Sequence, residues 1–189
     1  MIQVLSDFLG RLERVVLRAL VVLIPVMILV NVAARAFRAP IFWLDELAVL
    51  TMVWLAMIGL SVTLKHRDAV AVTLLTDAVP AAARKGLRLA SDLVVLAFAV
   101  IFLILCYRWF DPIGLVNSGL DLEAFAAETF NYMYQEPTAT LGIAKFWFWL
   151  IMPVVAFTAS VHALANLLVT LRAPGADFQQ VRPGAEGVD

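Results

Sequence analysis

Four long apolar runs divide the chain, and they restrict its fold more than any other feature of the sequence. The runs cover residues 15–34, 47–64, 89–107 and 146–171. Each is close to the roughly 20 residues that an α-helix needs to cross the hydrocarbon core of a bilayer. Hydrophobic residues make up 63% of the chain and charged residues only 15%, unlike a typical soluble domain. The sequence therefore predicts an all-α integral membrane protein whose four transmembrane helices form one domain over residues 1–172.

Two other readings of the apolar runs fit less well. A β-barrel strand would show about ten residues that alternate between apolar and polar, and none of the four runs alternates. A cleaved signal peptide would contain an apolar region of about 7–15 residues, and the first run is longer. The single cysteine, Cys106, lies within the third run, so no disulfide framework or thiol pair is predicted.

Lys and Arg residues are distributed unequally among the connections. The N-terminal arm, the second connection and the tail contain Arg11, Arg14, Arg18, Lys65, Arg67, Arg84, Lys85, Arg88, Arg172 and Arg182. The third connection, residues 108–145, is rich in Asp and Glu instead. Because cytoplasmic connections are enriched in Lys and Arg, we expect both termini in the cytoplasm. The tail, residues 173–189, contains several Pro and Gly residues and is predicted to be flexible.

Two carboxylates, Asp45 and Glu46, begin the second predicted helix directly after Trp43. Carboxylates in a first helical turn interact favourably with the helix dipole and accept hydrogen bonds from free backbone N–H groups. One interpretation is a charged helix end at the water boundary, neutralised by Arg35 and Arg38. A second interpretation places Arg35, Trp43 and Glu46 in one corner that joins the first two helices.

This corner is part of a longer pattern. The pattern consists of Asn31-x3-Arg35, Phe42-Trp43-x-Asp45-Glu46-Leu47, Trp54, Gly59 and Lys65. It resembles the small membrane subunit of the TRAP (tripartite ATP-independent periplasmic) transporters, the DctQ-like family, in detail from about residue 15 to residue 80. The chain departs from the family pattern at Ala69, where the family often has His, and at Thr73, where it often has Asp.

The resemblance implies a small scaffold subunit in the bacterial inner membrane, without a cofactor and without enzymatic activity. Its partners would be a large multi-span membrane subunit, which transports an organic acid with sodium, and a periplasmic substrate-binding protein. Asn31, Arg35, Trp43, Asp45, Glu46 and Trp54 would form a corner between helices or subunits. The alternatives are a small subunit of a tripartite tricarboxylate-type importer and a small membrane-embedded enzyme that uses His162.

The fourth span contains a polar streak made of Thr158, Ser160, His162 and Asn166. A proton relay would need a carboxylate at comparable depth, and the other predicted spans offer none to His162. Hydrogen bonding between helices is therefore the prediction. Small residues four apart allow close helix packing in lipid, which is expected for the pairs Gly59/Thr63 and Ala156/Ser160.

The connections predict two surface elements. Residues 69–79 are too short and too polar to span, and Arg84, Lys85 and Arg88 after them suit a membrane-surface arm that contacts lipid headgroups; a solvated loop is the alternative. Ser118 to Asp121 resemble a capping box. A short periplasmic helix should follow, with Leu122, Phe125, Ala126, Thr129 and Met133 on one face. Its acidic residues Asp121, Glu123 and Glu128 are candidates for docking the binding protein, and a solvated face is the alternative.

Chemical sites are not indicated elsewhere in the sequence. It contains no nucleophile–base pairing, no metal-spaced cluster of His, Cys and carboxylates, and no glycine loop of the kind that binds phosphate. We therefore predict no catalytic, metal, cofactor or nucleic-acid site.

Overall fold

The computed structural model describes residues 1–66 and 81–173. The helices within them are α1 (Ile2–Ala36), α2 (Phe42–His66), α3 (Ala81–Phe110), α4 (Pro112–Asn117), α5 (Leu122–Thr129), α6 (Phe146–Trp149) and α7 (Ile151–Arg172). Four segments are long and apolar enough to cross a membrane: Ile2–Ala36, Phe42–His66, Ala83–Asn117 and Phe146–Arg172. The described residues form no β-strand, and the prediction of an all-α protein with four spans is confirmed. The predictions for residues 67–80 and for the tail after Ala173 concern parts of the chain outside the described residues.

Helix α1 starts near the N-terminus, well before the first predicted span. Its 35 residues give a length of about 52 Å at about 1.5 Å per residue, against about 30 Å for the hydrocarbon core. The first third of the helix is amphipathic. Ser6, Gly10 and Glu13 are buried against the bundle, and Phe8 on another face is exposed. A search for long apolar runs does not detect this part of the helix, because polar residues interrupt it. Ser6 and Glu13 among them face the bundle.

The turn between α1 and α2 is closed by backbone hydrogen bonds. The Ala39 N–H donates to the Ala34 carbonyl oxygen over 2.9 Å, and the Arg38 N–H donates to the Arg35 carbonyl oxygen over 3.0 Å. This is the Schellman pattern, in which one residue takes the left-handed conformation. Arg38 takes it here, with a φ of 58°, and Pro40 then prevents the helix from continuing. The two helices are therefore antiparallel neighbours with their facing ends in register.

Helix α7 lies at the centre of the bundle and contacts α1, α2 and α3. Its buried positions include Ala156, Ala159, Ala163 and Ala165. Alanines let helix backbones approach closely, which matters in lipid because the bilayer provides no hydrophobic drive for helix association. Helix α3 has its most extensive contact with α7, and its outer face exposes Val94, Phe98 and Ile101. Such a face suits either lipid or a membrane partner.

The predicted packing pair Gly59/Thr63 does not make a close helix contact within the described residues. Thr63 is exposed and donates to the Gly59 carbonyl oxygen of its own helix over 2.9 Å. A Cβ atom added to Gly59 would meet its nearest neighbour, a Leu17 methyl group, at 3.9 Å, which is an ordinary van der Waals distance. The second predicted pair lies on α7, where Ala156 is fully buried.

The closest approach of another helix to a glycine of α1 or α2 occurs at Gly10. A Cβ atom there would lie 2.5 Å from Cδ of Lys65. Gly10 therefore leaves the space through which the Lys65 side chain of α2 crosses α1.

The acidic connection folds into α4, α5 and a loop. Its predicted helix exists as α5, but the cap differs from the prediction: Asp121 caps α5 by accepting from the Glu123 and Ala124 N–H groups over 2.9 and 3.1 Å, and Ser118 ends α4. Phe125 is fully buried and packs edge-to-face on Tyr134, with ring centroids 5.6 Å apart. Burial and the nearby carboxylate of Asp111 raise the pKa of Tyr134.

Candidate functional site

Asp45 at one end of the bundle connects α2 to α1. Its carboxylate accepts hydrogen bonds from the Asn31 side-chain amide and from the Arg35 guanidinium. Asn31 is buried, and its side-chain oxygen accepts from the Ile41 N–H over 3.3 Å. The Arg35–Asp45 ion pair is more open, with exposed side-chain fractions of 58% and 52%. One buried amide and one open ion pair therefore fix the facing ends of α1 and α2.

Glu46 lies in a different contact from the one predicted. Its carboxylate accepts from the backbone N–H groups of Ala139, Thr140 and Leu141 over 2.7, 2.6 and 3.2 Å, and from the Thr140 hydroxyl over 2.6 Å. Glu46 thus holds the loop that leads into α6, and Asp45 takes the contact to Arg35. The reason is geometric, because adjacent helical residues point about 100° apart and cannot both face the same neighbour.

The two tryptophans of the predicted corner also separate. Trp43 is 47% exposed, and its predicted place over the Arg35–Asp45 pair stays a prediction. Trp54 donates from its indole Nε1 to the Phe148 carbonyl oxygen over 2.9 Å. The structure thus brings Asn31, Arg35 and Asp45 together, while Glu46 and Trp54 join α2 to the segment that precedes α7.

A second polar cluster lies near the other end of the bundle. The Glu13 carboxylate of α1 is 3.1 Å from His162 Nε2 of α7 and accepts from the Ser61 hydroxyl of α2 over 2.7 Å. Ser6 Oγ lies 2.7 Å from His162 Nδ1, and Ser61 Oγ lies 3.0 Å from the Thr158 hydroxyl. The prediction that no carboxylate lies at the depth of His162 is wrong, because α1 extends to Glu13 and beyond.

The proton positions in this cluster follow from its acceptor. With the Glu13 carboxylate accepting, His162 donates through Nε2. Its Nδ1 then accepts from the Ser6 hydroxyl when the ring is neutral and donates to it when the ring is protonated. The His162 side chain is fully buried, so every one of its polar atoms must find its partner within the protein.

Lys65 closes this end of the bundle. Its ammonium donates to the Ser6 carbonyl oxygen over 2.5 Å and pairs with the Asp7 carboxylate over 2.9 Å. Asn166 of α7 donates to the Leu64 carbonyl oxygen over 2.9 Å. These contacts join the ends of α1, α2 and α7. We call Ser6, Glu13, Ser61, Lys65 and His162 the Glu13 network.

The distance between the two polar ends matches a membrane. Asp45 and Lys65 are 20 residues apart in α2, which corresponds to about 30 Å along the helix axis, the thickness of the hydrocarbon core. Ser61 lies one helical turn inside Lys65, so the Glu13 carboxylate that it contacts lies about 6 Å inside that boundary. Charged groups at this depth have little water to solvate them, which explains why they are paired.

The cations of the predicted membrane-surface arm lie in the first turns of α3, half buried. Lys85 donates to the Ala173 carbonyl oxygen at the end of α7 over 2.8 Å. The carboxylate of Asp92, also in α3, is buried and accepts from the Thr170 hydroxyl. Arg84 and Arg88 both have interaction partners. Lys85 and Asp92 therefore connect α3 to α7, and contact of the arm with lipid headgroups stays a prediction.

The predicted docking acids lie on or beside α5. Asp121, Glu123 and Glu128 are all exposed, and Asp121 is engaged as the helix cap. Among the described residues, His, Cys, Asp and Glu form no group of three or more that could hold a metal ion. Sequence reasoning missed Ser6, Glu13 and Ser61. The signal for Ser6 and Glu13 was the spacing of small and polar residues at positions 6, 10 and 13, ahead of the first apolar run.

Comparison with known proteins gives two findings. The family model of the DctQ component of tripartite ATP-independent periplasmic transporters matches residues 24–173, which confirms the resemblance predicted from the Asn31 to Lys65 pattern. The sialic acid TRAP transporter permease protein SiaT of Haemophilus influenzae (strain 86-028NP) is 29% identical over 122 residues. The match covers 65% of this chain and only 17% of that relative.

The Asp45 end yields a prediction about coupling. In the purified chain, the effects of Arg35→Gln and Asp45→Asn on the free energy of unfolding in denaturant should not add. The coupling energy should be about 0.2–1 kcal/mol, because the ion pair is partly exposed. The effects of Arg35→Gln and Glu46→Gln should add, because these side chains hold different elements. A stronger coupling of Arg35 to Glu46 than to Asp45 would contradict the observed contacts.

The Glu13 network yields a larger effect. Glu13→Ala should destabilise the chain by about 3–5 kcal/mol, because it leaves the buried His162 without its carboxylate. The double variant Glu13→Leu/His162→Leu should cost less than the sum of its two single variants, since it leaves no buried charge unpaired. The measurement is unfolding of the purified chain in detergent. Ser160→Ala is the control and should change stability by at most about 0.5 kcal/mol, because its hydroxyl donates to the Ala156 carbonyl oxygen of its own helix and to no other described residue.

Proposed function

We propose a specific role for this chain, which belongs to the DctQ component family of the tripartite ATP-independent periplasmic transporters: it is a scaffold for the large transport subunit. The observation that carries the proposal is the family match over residues 24–173, which includes about the last third of α1 and all of α2, α3 and α7. The transporter would import an organic acid with sodium, and a periplasmic binding protein would supply the substrate.

The distribution of polar groups supports a scaffold over a transport pathway. Transport sites near the bilayer midplane are built from ionisable residues and interrupted helices. In α2 the residues from Leu47 to Leu64 include no charged side chain. The buried charges of α1 and α7, Glu13 and His162, satisfy each other near one end of the bundle. The interruption between α6 and α7 at Leu150 lies near the other end.

The relative SiaT supports a large partner. It is named a permease, and the stretch similar to this chain is 17% of its length. Most of that permease therefore lies outside the similar stretch, and we infer that a separate large subunit supplies the corresponding part here. The name of SiaT includes sialic acid, which is a carboxylic acid and agrees with the proposed substrate class. The binding protein selects the substrate in this proposal, so the chain itself contributes no selectivity.

The orientation in the membrane is also a proposal. The Lys65 end of the bundle carries Arg11, Arg14 and Arg18 near the start of α1, and Arg172 at the end of α7. Cytoplasmic segments are enriched in such residues, so we assign this end to the cytoplasm of a bacterial inner membrane. The opposite end carries Arg35, Arg38, Arg108 and Lys145. Of these, Arg35 pairs with Asp45 and Lys145 with Glu136.

Reporter fusions test the orientation. Joined after Asp189, a reporter that works only in the cytoplasm should be active, and one that works only in the periplasm should be inactive. Inserted at Asn117, the two reporters should show the opposite result. The expectation rests on the Lys and Arg distribution. The reverse pattern at both sites would invert the assignment.

Uptake in cells that produce all three components tests the function. Deleting this chain should abolish uptake of an organic acid and reduce the amount of large subunit recovered from the membrane, because the large subunit loses its scaffold. Producing the chain again should restore both. Normal uptake in its absence would refute the scaffold role, and normal recovery of the large subunit with lost uptake would assign the chain a role in the transport step.

The same assay tests docking of the binding protein. We propose that Glu123 and Glu128 on α5 attract its basic groups, since complementary charges raise association rates. The variant Glu123→Lys/Glu128→Lys should need more binding protein for half-maximal uptake, while the recovered amount of large subunit stays unchanged. The control is Glu136→Lys, whose native carboxylate is engaged by Lys145 over 2.6 Å. Equal behaviour of both variants would show a merely solvated face.

A further inference from the structure

An exposed stripe runs along the whole length of α1. Its members recur every three or four residues and all are exposed: Val4, Phe8, Arg11, Val15, Arg18, Val22, Val26, Leu29 and Val32. The spacing places them on one face of the helix. The opposite face contains Ser6, Glu13, Leu20 and Met27, all buried in the bundle. The stripe is apolar except for Arg11 and Arg18.

Arg18 differs from Lys65, Lys85 and Arg14 at this end of the bundle. Lys65 pairs with Asp7, Lys85 bonds to Ala173, and one Arg14 guanidinium N–H is 3.0 Å from His66 Nε2. Within residues 1–66 and 81–173, Arg18 forms no hydrogen bond and no ion pair. Among the described residues, Asp7 is engaged by Lys65 and Glu13 by His162. An exposed guanidinium on an apolar face, with no hydrogen bond or ion pair to the described residues, suits an external anion.

The depth of Arg18 identifies where that anion lies. A Leu17 methyl group is the nearest neighbour of Gly59, so Arg18 lies at about the level of Gly59. Gly59 is six positions from Lys65 in α2. This corresponds to about 9 Å inside the boundary that Lys65 marks. Helical side chains lean toward the helix N-terminus, which for α1 is the Lys65 end. The Arg18 stem therefore lies along apolar surface while its guanidinium reaches toward the headgroup level.

We propose that this face of α1 binds an anionic phospholipid of the leaflet at the Lys65 end. The phosphate accepts hydrogen bonds from the Arg18 guanidinium, Arg11 adds positive potential farther toward water, and an acyl chain packs along Val15, Val22 and Leu29. Guanidinium and phosphate match in geometry and charge. A carboxylate of a partner subunit is the less suitable anion, since it would have to leave water, whereas lipid phosphates already lie at this level.

Native mass spectrometry of the purified full chain in detergent tests the proposal. The probes are dioleoylphosphatidylglycerol and dioleoylphosphatidylcholine, titrated separately. The unmodified chain should bind the anionic lipid more tightly. Arg18→Gln should weaken that binding about fivefold, which corresponds to about 1 kcal/mol for one cation at an anionic lipid surface. Arg18→Lys should lose less, because it keeps the charge and loses only the two-pronged contact.

Arg172→Gln is the matched control, since Arg172 is exposed at the same end of the bundle but lies on α7. It should leave phosphatidylglycerol binding within about twofold of the original, because an exposed charge away from the site adds little. Equal binding of the two lipids by the unmodified chain, equal losses in Arg18→Gln and Arg172→Gln, or no loss in Arg18→Gln would each overturn the proposal.

A melting measurement distinguishes loss of the site from loss of the fold. Arg18→Gln should keep the melting temperature of the lipid-free chain, because Arg18 makes no hydrogen bond or ion pair with the described residues. If Arg18→Gln releases the large subunit in co-purification while phosphatidylglycerol binding is unchanged, a partner carboxylate occupies the site and the lipid proposal is wrong. The lipid titration uses the isolated chain, so its result does not depend on the scaffold role.

Discussion

The Glu13–His162 pair constrains the rest of the structure, because hydrocarbon cannot solvate either group. His162 is fully buried and Glu13 nearly so. Each needs the other, and both need the hydroxyl groups of Ser6 and Ser61 to complete their hydrogen bonds. Among the described residues no buried side-chain nitrogen or oxygen lacks a partner. A buried polar group without a partner costs far more than a hydrogen bond contributes, so the network accepts only one register of α1, α2 and α7.

The length of the apolar stretch between the two polar ends then sets the position in the bilayer. Asn31, Arg35 and Asp45 mark one boundary, and Lys65 with Asp7 marks the other. Moving the bundle along the membrane normal would pull one set of charges into hydrocarbon. This explains how helix α1, which is longer than the hydrocarbon core is thick, stays in place: its first third presents Ser6, Gly10 and Glu13 inward and leaves apolar side chains outward.

Hydropathy predicted the four spans because each must supply an apolar face of bilayer length. It could not predict Glu13, whose partner lies 149 residues away in sequence and whose helix begins as an inverted amphipathic segment. The Asp45–Glu46 motif was recognisable, but helix-dipole arguments treat both carboxylates alike. Only the direction of each side chain, about 100° apart, decides that Asp45 meets Arg35 while Glu46 holds the loop at Thr140. Similarly, the space beside Gly10 is occupied by a Lys65 side chain from another helix, which no local spacing reveals.

Polar contacts at each end of the bundle lead to α7 or to the segment just before it, besides those that join α1 to α2. Glu46 holds residues 139–141, Trp54 bonds to Phe148, and His162 and Asn166 receive α1 and α2 at the far end. On the other side Asp92 of α3 meets Thr170, and Lys85 meets Ala173. A slide of any long helix past α7 would break contacts at one or both ends at once, and the buried ones have no water to replace them. The chain should therefore move as one rigid body, with its apolar outer faces on α1 and α3 open to lipid or to a partner. A body of this kind can support a moving neighbour without moving itself, which is the mechanical property that a scaffold subunit requires.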